Sequence, residues 1–123
     1  MPKEYSRNLR VAELLQRELA MLVQQYTRDS EMGLVTLSAI DVSPDLKNAK
    51  IFITCMGNTV NIEEIVSKLN EQSGQFRHDL GKVVKLRIMP KLNFQFDYTL
   101  ERANRLSTLI DSLHVDNTGE NNG

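Results

Sequence analysis

Tryptophan is absent from this 123-residue chain, and cysteine occurs once. A single thiol leaves no intramolecular disulfide framework and no zinc site built on several thiolates, which points to a reducing compartment. His78 and His114 lie far apart, and no His-x-x-x-His, Cys-x-x-Cys or Asp-x-Asp spacing offers metal ligands. The six glycines are scattered, so none of them forms a phosphate-cradling loop. Nor does any apolar run approach the roughly 20 residues that span a bilayer. The opening Met1-Pro2-Lys3-Glu4-Tyr5-Ser6-Arg7 lacks the apolar segment of a secretory signal. Catalytic groups are equally sparse: Cys55 sits in an apolar run, and Glu63 and Glu64 diverge by about 100° if helical. A cytoplasmic binding domain with no enzymatic activity, no metal and no cofactor is the expectation. What is present, 41% hydrophobic and 25% charged residues, fits one globular domain.

The formal net charge of −1 conceals a segregation. Residues 77–91 hold Arg77, Lys82, Lys85, Arg87 and Lys91 against Asp79 alone, while residues 29–76 and 92–123 are both net acidic. A compact basic block binds a polyanion through its local field even in a neutral protein. A solvated basic face without a partner is the plain alternative.

Leu9, Val11, Leu14, Leu15, Leu19, Leu22, Val23 and Tyr26 recur mainly at spacings of three and four, which predicts an amphipathic helix over Arg7–Thr27 with Ser6 as its cap. Arg7, Arg10 and Arg17 fall within about 80° of one another on that helix. Val35–Val42 reads as a strand whose alternation changes parity, the mark of a bulge or of a strand covered on both faces. Ser43-Pro44-Asp45-Leu46-Lys47-Asn48 is turn chemistry, and Ala49–Met56 completes a hairpin. Asn61 caps a second helix, and Gly74 falls where it would continue, so Ser73-Gly74 is read as a kink or junction. Gly81 closes the second piece. Val83–Met89 is expected to form the third strand, with Leu92, Phe94 and Phe96 in a short extended segment after it. A last helix is expected over Leu100–Leu113, leaving residues 1–114 as one domain and 115–123 as a disordered polar tail.

The order αββααβ plus one helix is an α+β arrangement with the topology of a type II K-homology (KH) domain, a binder of single-stranded RNA. Such domains clamp the nucleic-acid backbone with a Gly-x-x-Gly loop, and no two glycines here are three apart. Either RNA binding has been lost or it proceeds in another way. Phe52, Phe76, Phe94 and Phe96 are expected in the core rather than as stacking platforms, which favours shape and phosphate recognition of structured RNA.

Four blocks resemble the ribosome-binding factor A family of small-subunit assembly factors. They are Arg7–Leu19, the hairpin Val35–Ser38 with Ser43–Ile51, Phe76-Arg77-His78-Asp79-Leu80, and Met89–Asp97. That family is similar to type II KH domains and replaces the clamp with a kinked helix pair bearing Ala-x-Gly, matched here by Gln72-Ser73-Gly74. The resemblance implies a cytoplasmic protein that binds the immature, free 30S ribosomal subunit and its 16S rRNA precursor, and a monomer is the default expectation. It further implies help in late 16S processing, release before translation, a link to growth in the cold and functional ties to an assembly GTPase. Lys3, Arg7, Arg10, Ser73, Gly74, Arg77, Lys82, Lys85 and Arg87 are the candidate RNA-binding residues. Two other readings compete: an adaptor that docks a ribosomal protein or an assembly GTPase without touching RNA, and a silencing factor of the mature subunit.

Overall fold

A computed structural model describes residues 7–122, with side chains described as far as residue 110. Lys3 and the expected cap Ser6 therefore lie outside the described residues, as do the side chains of Leu113 and His114. The elements run α1 (Arg7–Thr27), β1 (Leu34–Val42), β2 (Asn48–Met56), α2 (Ile62–Glu71), α3 (Ser73–Val83), β3 (Lys91–Phe96) and α4 (Thr99–Asn122). This is the α+β KH-like order with a helix added at the end.

The three strands form one sheet in the order β1-β2-β3, with β1 antiparallel and β3 parallel to β2. Its register shifts between Leu37 and Ala39, so the parity change in the sequence is a β-bulge at Ser38. Before the bulge Val35 and Leu37 are buried, and after it Val42 is, while Thr36 and Asp41 are exposed. Ala49, Ile51 and Ile53 of β2 and Leu92 and Phe94 of β3 continue that inner face. Against it α1 brings Leu15, Leu19 and Val23, α2 brings Ile65 and Leu69, and α3 brings Phe76 and Leu80. Tyr26, Phe76 and Phe94 form an aromatic string, successive centroids 5.7 Å apart. Phe76 and Phe94 are core residues as expected, whereas Phe52 and Phe96 are only half-buried.

The third strand requires a correction. Val83 is the last residue of α3, Val84 is extended, and the ladder to β2 runs from Lys91 to Phe96. Gly81 does not end the helix, because the Val84 amide still bonds to the Leu80 carbonyl at 2.8 Å. The alternation of Val84, Leu86 and Ile88 is that of a connection lying along the core: Val84 and Pro90 are buried, Leu86 and Met89 half-buried, Ile88 exposed. Pro90, lacking an amide hydrogen, precedes the ladder, and the segment after it supplies the hydrogen bonds.

Side-chain amides from the helices finish the sheet. Asn70 of α2 donates to the Phe94 carbonyl at 3.1 Å and accepts from the Phe94 amide at 2.7 Å. On the other side Asn8 and Gln16 of α1 donate to the carbonyls of Val42 and Leu37, at 3.0 and 3.2 Å. Helix α4 leaves the sheet through Asp97, which accepts from the Ser38 hydroxyl at 2.5 Å and from the Thr99 amide at 2.8 Å. It continues to Asn122, past the end at Leu113 that its apolar stripe suggests, and every described side chain in it is exposed.

Candidate nucleic-acid interface

The connection from α3 to β3 carries the centre of the basic block. Val84, Leu86 and Met89 turn toward the core while Lys85 and Arg87 are exposed, so an apolar-in, basic-out alternation survives without a strand. Arg7, the first residue of α1, lies across from it. Together Arg7, Lys85 and Arg87 border a groove of about 410 Å³ whose apolar lining is Val11, Leu46, Leu86 and Ile88. Three candidates from two distant stretches of the sequence are thereby brought to one place.

Leu46 belongs to the hairpin turn and holds φ at 65°, a left-handed conformation that is unfavourable for a branched residue. The turn is tied by its own side chains. Ser43 Oγ bonds Asp45 Oδ1 at 2.6 Å, the Lys47 amide donates to the same oxygen at 3.0 Å, and the Asn48 amide donates to Ser43 Oγ at 3.1 Å. The Ser43 hydroxyl, and next the Lys47 amide, hold the Asp45 carboxyl below its ordinary range. Such bonding offsets the cost of the left-handed residue and presents Leu46 and Lys47 in a fixed orientation.

On the other side of Ile88 lies a second hollow of about 310 Å³, lined by Lys47, Asn48, Arg77, Met89 and Lys91. Arg77 reaches it from α3, and its Nη2 donates to the Met89 carbonyl at 2.8 Å. This candidate is thus a brace between helix and connection as well as a surface cation.

The other candidates are placed elsewhere. Arg10 and Lys82 are exposed and line neither hollow, and Lys82 lies 4.0 Å from Asp79 Oδ1. Gln72 alone joins α2 to α3 (φ −88°, ψ −1°), so the kink falls one residue before the Ser73-Gly74 pair. Gln72 borders a separate hollow with Tyr26 and Asp79, whose lining includes no basic residue. Ser73 is half-buried and Gly74 exposed. Sequence reasoning omitted Lys47 and Lys91. Lys91 was in view within the basic block, but Lys47 joins it only through the Asn48–Lys91 pairing of β2 and β3.

The arrangement is suited to holding anions. Cys55 is half-buried, and burial raises its thiol above the ordinary value, which disfavours a nucleophilic thiolate. Among the described residues, no three His, Cys, Asp or Glu side chains are grouped to hold a metal ion. No helix among them is long and apolar enough to cross a membrane.

The sequence model of one family, ribosome-binding factor A, matches residues 7–110. A ribosome-binding factor A of Stutzerimonas stutzeri is 44% identical, the match covering 98% of this chain and 100% of that protein. The crystal structure of ribosome-binding factor A from Thermus thermophilus superposes with a TM-score of 0.63 at 21% identity, covering 72% of this chain and 93% of that one. Coordinates of the Thermus thermophilus factor fitted into a cryo-EM map of a 30S complex superpose with a TM-score of 0.59 at 22% identity, covering 70% of this chain and 90% of that one.

Proposed function

Because the chain belongs to the ribosome-binding factor A family, we propose that it binds the immature 30S subunit and assists late maturation of its 16S rRNA, without catalysing a reaction itself. The observation that carries this reading is the convergence of Arg7, Lys85 and Arg87 on one groove. Three cations from two distant stretches of chain, beside a turn fixed by its own hydrogen bonds, make a preformed contact for RNA phosphates. The family's Thermus thermophilus member fitted into a 30S complex supports the same partner. In this reading the protein acts as a cytoplasmic monomer on the free subunit and its unprocessed rRNA, and leaves before translation. Its ties to an assembly GTPase would then govern its arrival or departure. Residues 1–114 hold the contact surface, and Arg10 and Lys82 add exposed positive charge outside the groove.

One observation favours an adaptor as the second reading. Leu106, Leu109 and Ile110 are 58%, 58% and 54% exposed on α4, a stripe suited to another protein. Sedimentation of a growing-cell lysate through a sucrose gradient separates the two. Co-migration with free 30S particles enriched in unprocessed 16S rRNA, and absence from 70S particles and polysomes, is the expected result. Protein remaining at the top of the gradient at low salt would overturn the subunit-binding reading in favour of the adaptor.

A further inference from the structure

Three cations border the hollow beyond Ile88. Arg77 comes from α3, Lys91 opens β3 and Lys47 closes the hairpin turn. The Lys91 amide donates to the Lys47 carbonyl at 2.9 Å, which fixes the spacing of the two lysines. No carboxylate lines the hollow, and among the described residues none of the three cations forms an ion pair within 4.0 Å, although the Asp45 carboxylate in the same turn attracts Lys47. Arg77 is anchored by a neutral group, the Met89 carbonyl, so its orientation is set while its charge stays uncompensated. Its Nε is buried with no acceptor, so part of the guanidinium's bonding capacity is unused. Asn48 adds an exposed side-chain amide with no bond of its own among the described residues.

A concave wall lined by one sign of charge focuses its field on whatever occupies the hollow. Three cations on three elements, one of them a planar fork, suit a multidentate tetrahedral anion better than a single carboxylate. We propose that this hollow is a phosphate site. Resting on the RNA reading above, its occupant is one backbone phosphodiester of the precursor rRNA, held by Lys47, Arg77 and Lys91 beside the Arg7 groove. Lys47 and Asn48 thereby become binding residues, and the turn Ser43–Asn48 becomes part of the interface.

The test uses the full chain and two double variants. Lys47→Ala with Lys91→Ala empties the hollow of two exposed cations. Arg28→Ala with Lys68→Ala removes the same charge from exposed positions that line neither this hollow nor the Arg7 groove. Binding to precursor 30S particles is measured against salt for all three proteins. The Lys47/Lys91 variant is expected to bind about tenfold more weakly and to lose roughly one from the slope of log affinity on log salt. The control keeps the wild-type slope. Equal losses in both variants, or none in the first, would overturn the site while leaving subunit binding intact.

Titration with inorganic phosphate, followed by NMR at the Arg77 side chain and the Lys47 and Lys91 amides, reads the site without RNA. Perturbation confined to these groups, and lost in the Lys47/Lys91 variant, supports it. If phosphate perturbs them yet both variants bind 30S particles like the wild type, the occupant is a small phosphate and the RNA assignment falls. If the wild type binds no 30S particles, the RNA reading itself fails, and absence of any phosphate perturbation then removes the site as well.

Discussion

A methyl group added at Gly74 would meet nothing within 4 Å outside its own helix turn and chain neighbours, so no packing requires a glycine there. Helix propensity then decides: Gly74→Ala is expected to raise stability by about 1 kcal/mol, read from the urea midpoint at unchanged m-value. A stabilised variant that binds 30S particles less well would show that the bare backbone serves the partner rather than the fold. Asp45 offers a pH test at the same scale. Its carboxyl lies lower in the folded chain than its ordinary value of 3.8, because the Ser43 hydroxyl and the Lys47 amide bond the charged form. The stabilisation is therefore fully present above that ordinary value and is lost as pH falls through the lower, folded one. Between pH 5 and pH 2 the urea midpoint of Asp45→Asn is expected to fall less steeply than that of the wild type. At this scale the sequence was legible where a residue's neighbours in the chain are its partners, as in the Ser43–Asn48 turn. It was opaque where the partner comes from another element, as with Lys47 and Lys91.

Among the elements, the bulge in β1 could be read from the parity change between Leu37 and Ile40, because period-2 burial leaves a trace when one residue is inserted. The third strand could not be placed from its pattern. Val84, Leu86 and Ile88 alternate as regularly as Leu92, Phe94 and Phe96, and only pairing to β2 distinguishes them. The first set lies along a connection that packs at the edge of the core, the second in a hydrogen-bonded ladder. Helix α4 is the element least tied to the rest, with Leu100 and Leu106 65% and 58% exposed. Ending the chain after Tyr98 is expected to change the unfolding free energy by no more than about 0.5 kcal/mol, since no described residue removed is buried. If 30S binding survives that truncation, the stripe on α4 is dispensable for the subunit. If it is lost while stability holds, the contact extends along the helix.

Over the whole molecule, a net charge of −1 hides a basic surface assembled from the start of α1, the hairpin turn and the α3–β3 connection. Its core, the 77–91 block, stood out in the sequence as an excess of one sign. That Arg7 joins it is an expectation from the arginine face of the first helix; the groove that Arg7, Lys85 and Arg87 border needed the fold. Replacing Lys85 and Arg87 by alanine is expected to weaken 30S binding and to lower the salt slope by about one for each phosphate that is no longer neutralised. Identical affinity and slope would place the RNA-facing surface elsewhere. The amides of Asn70, Asn8 and Gln16 bear on how RNA or any other partner is met. They occupy main-chain groups on both outer strands, including both polar groups of Phe94 at the middle of β3. A visiting peptide or a second copy that sought to extend this sheet would find these particular groups already bonded, which makes strand addition at those positions less favourable. Occupied edge groups put more weight on side chains and shape, as the proposed contact with phosphate and sugar would require.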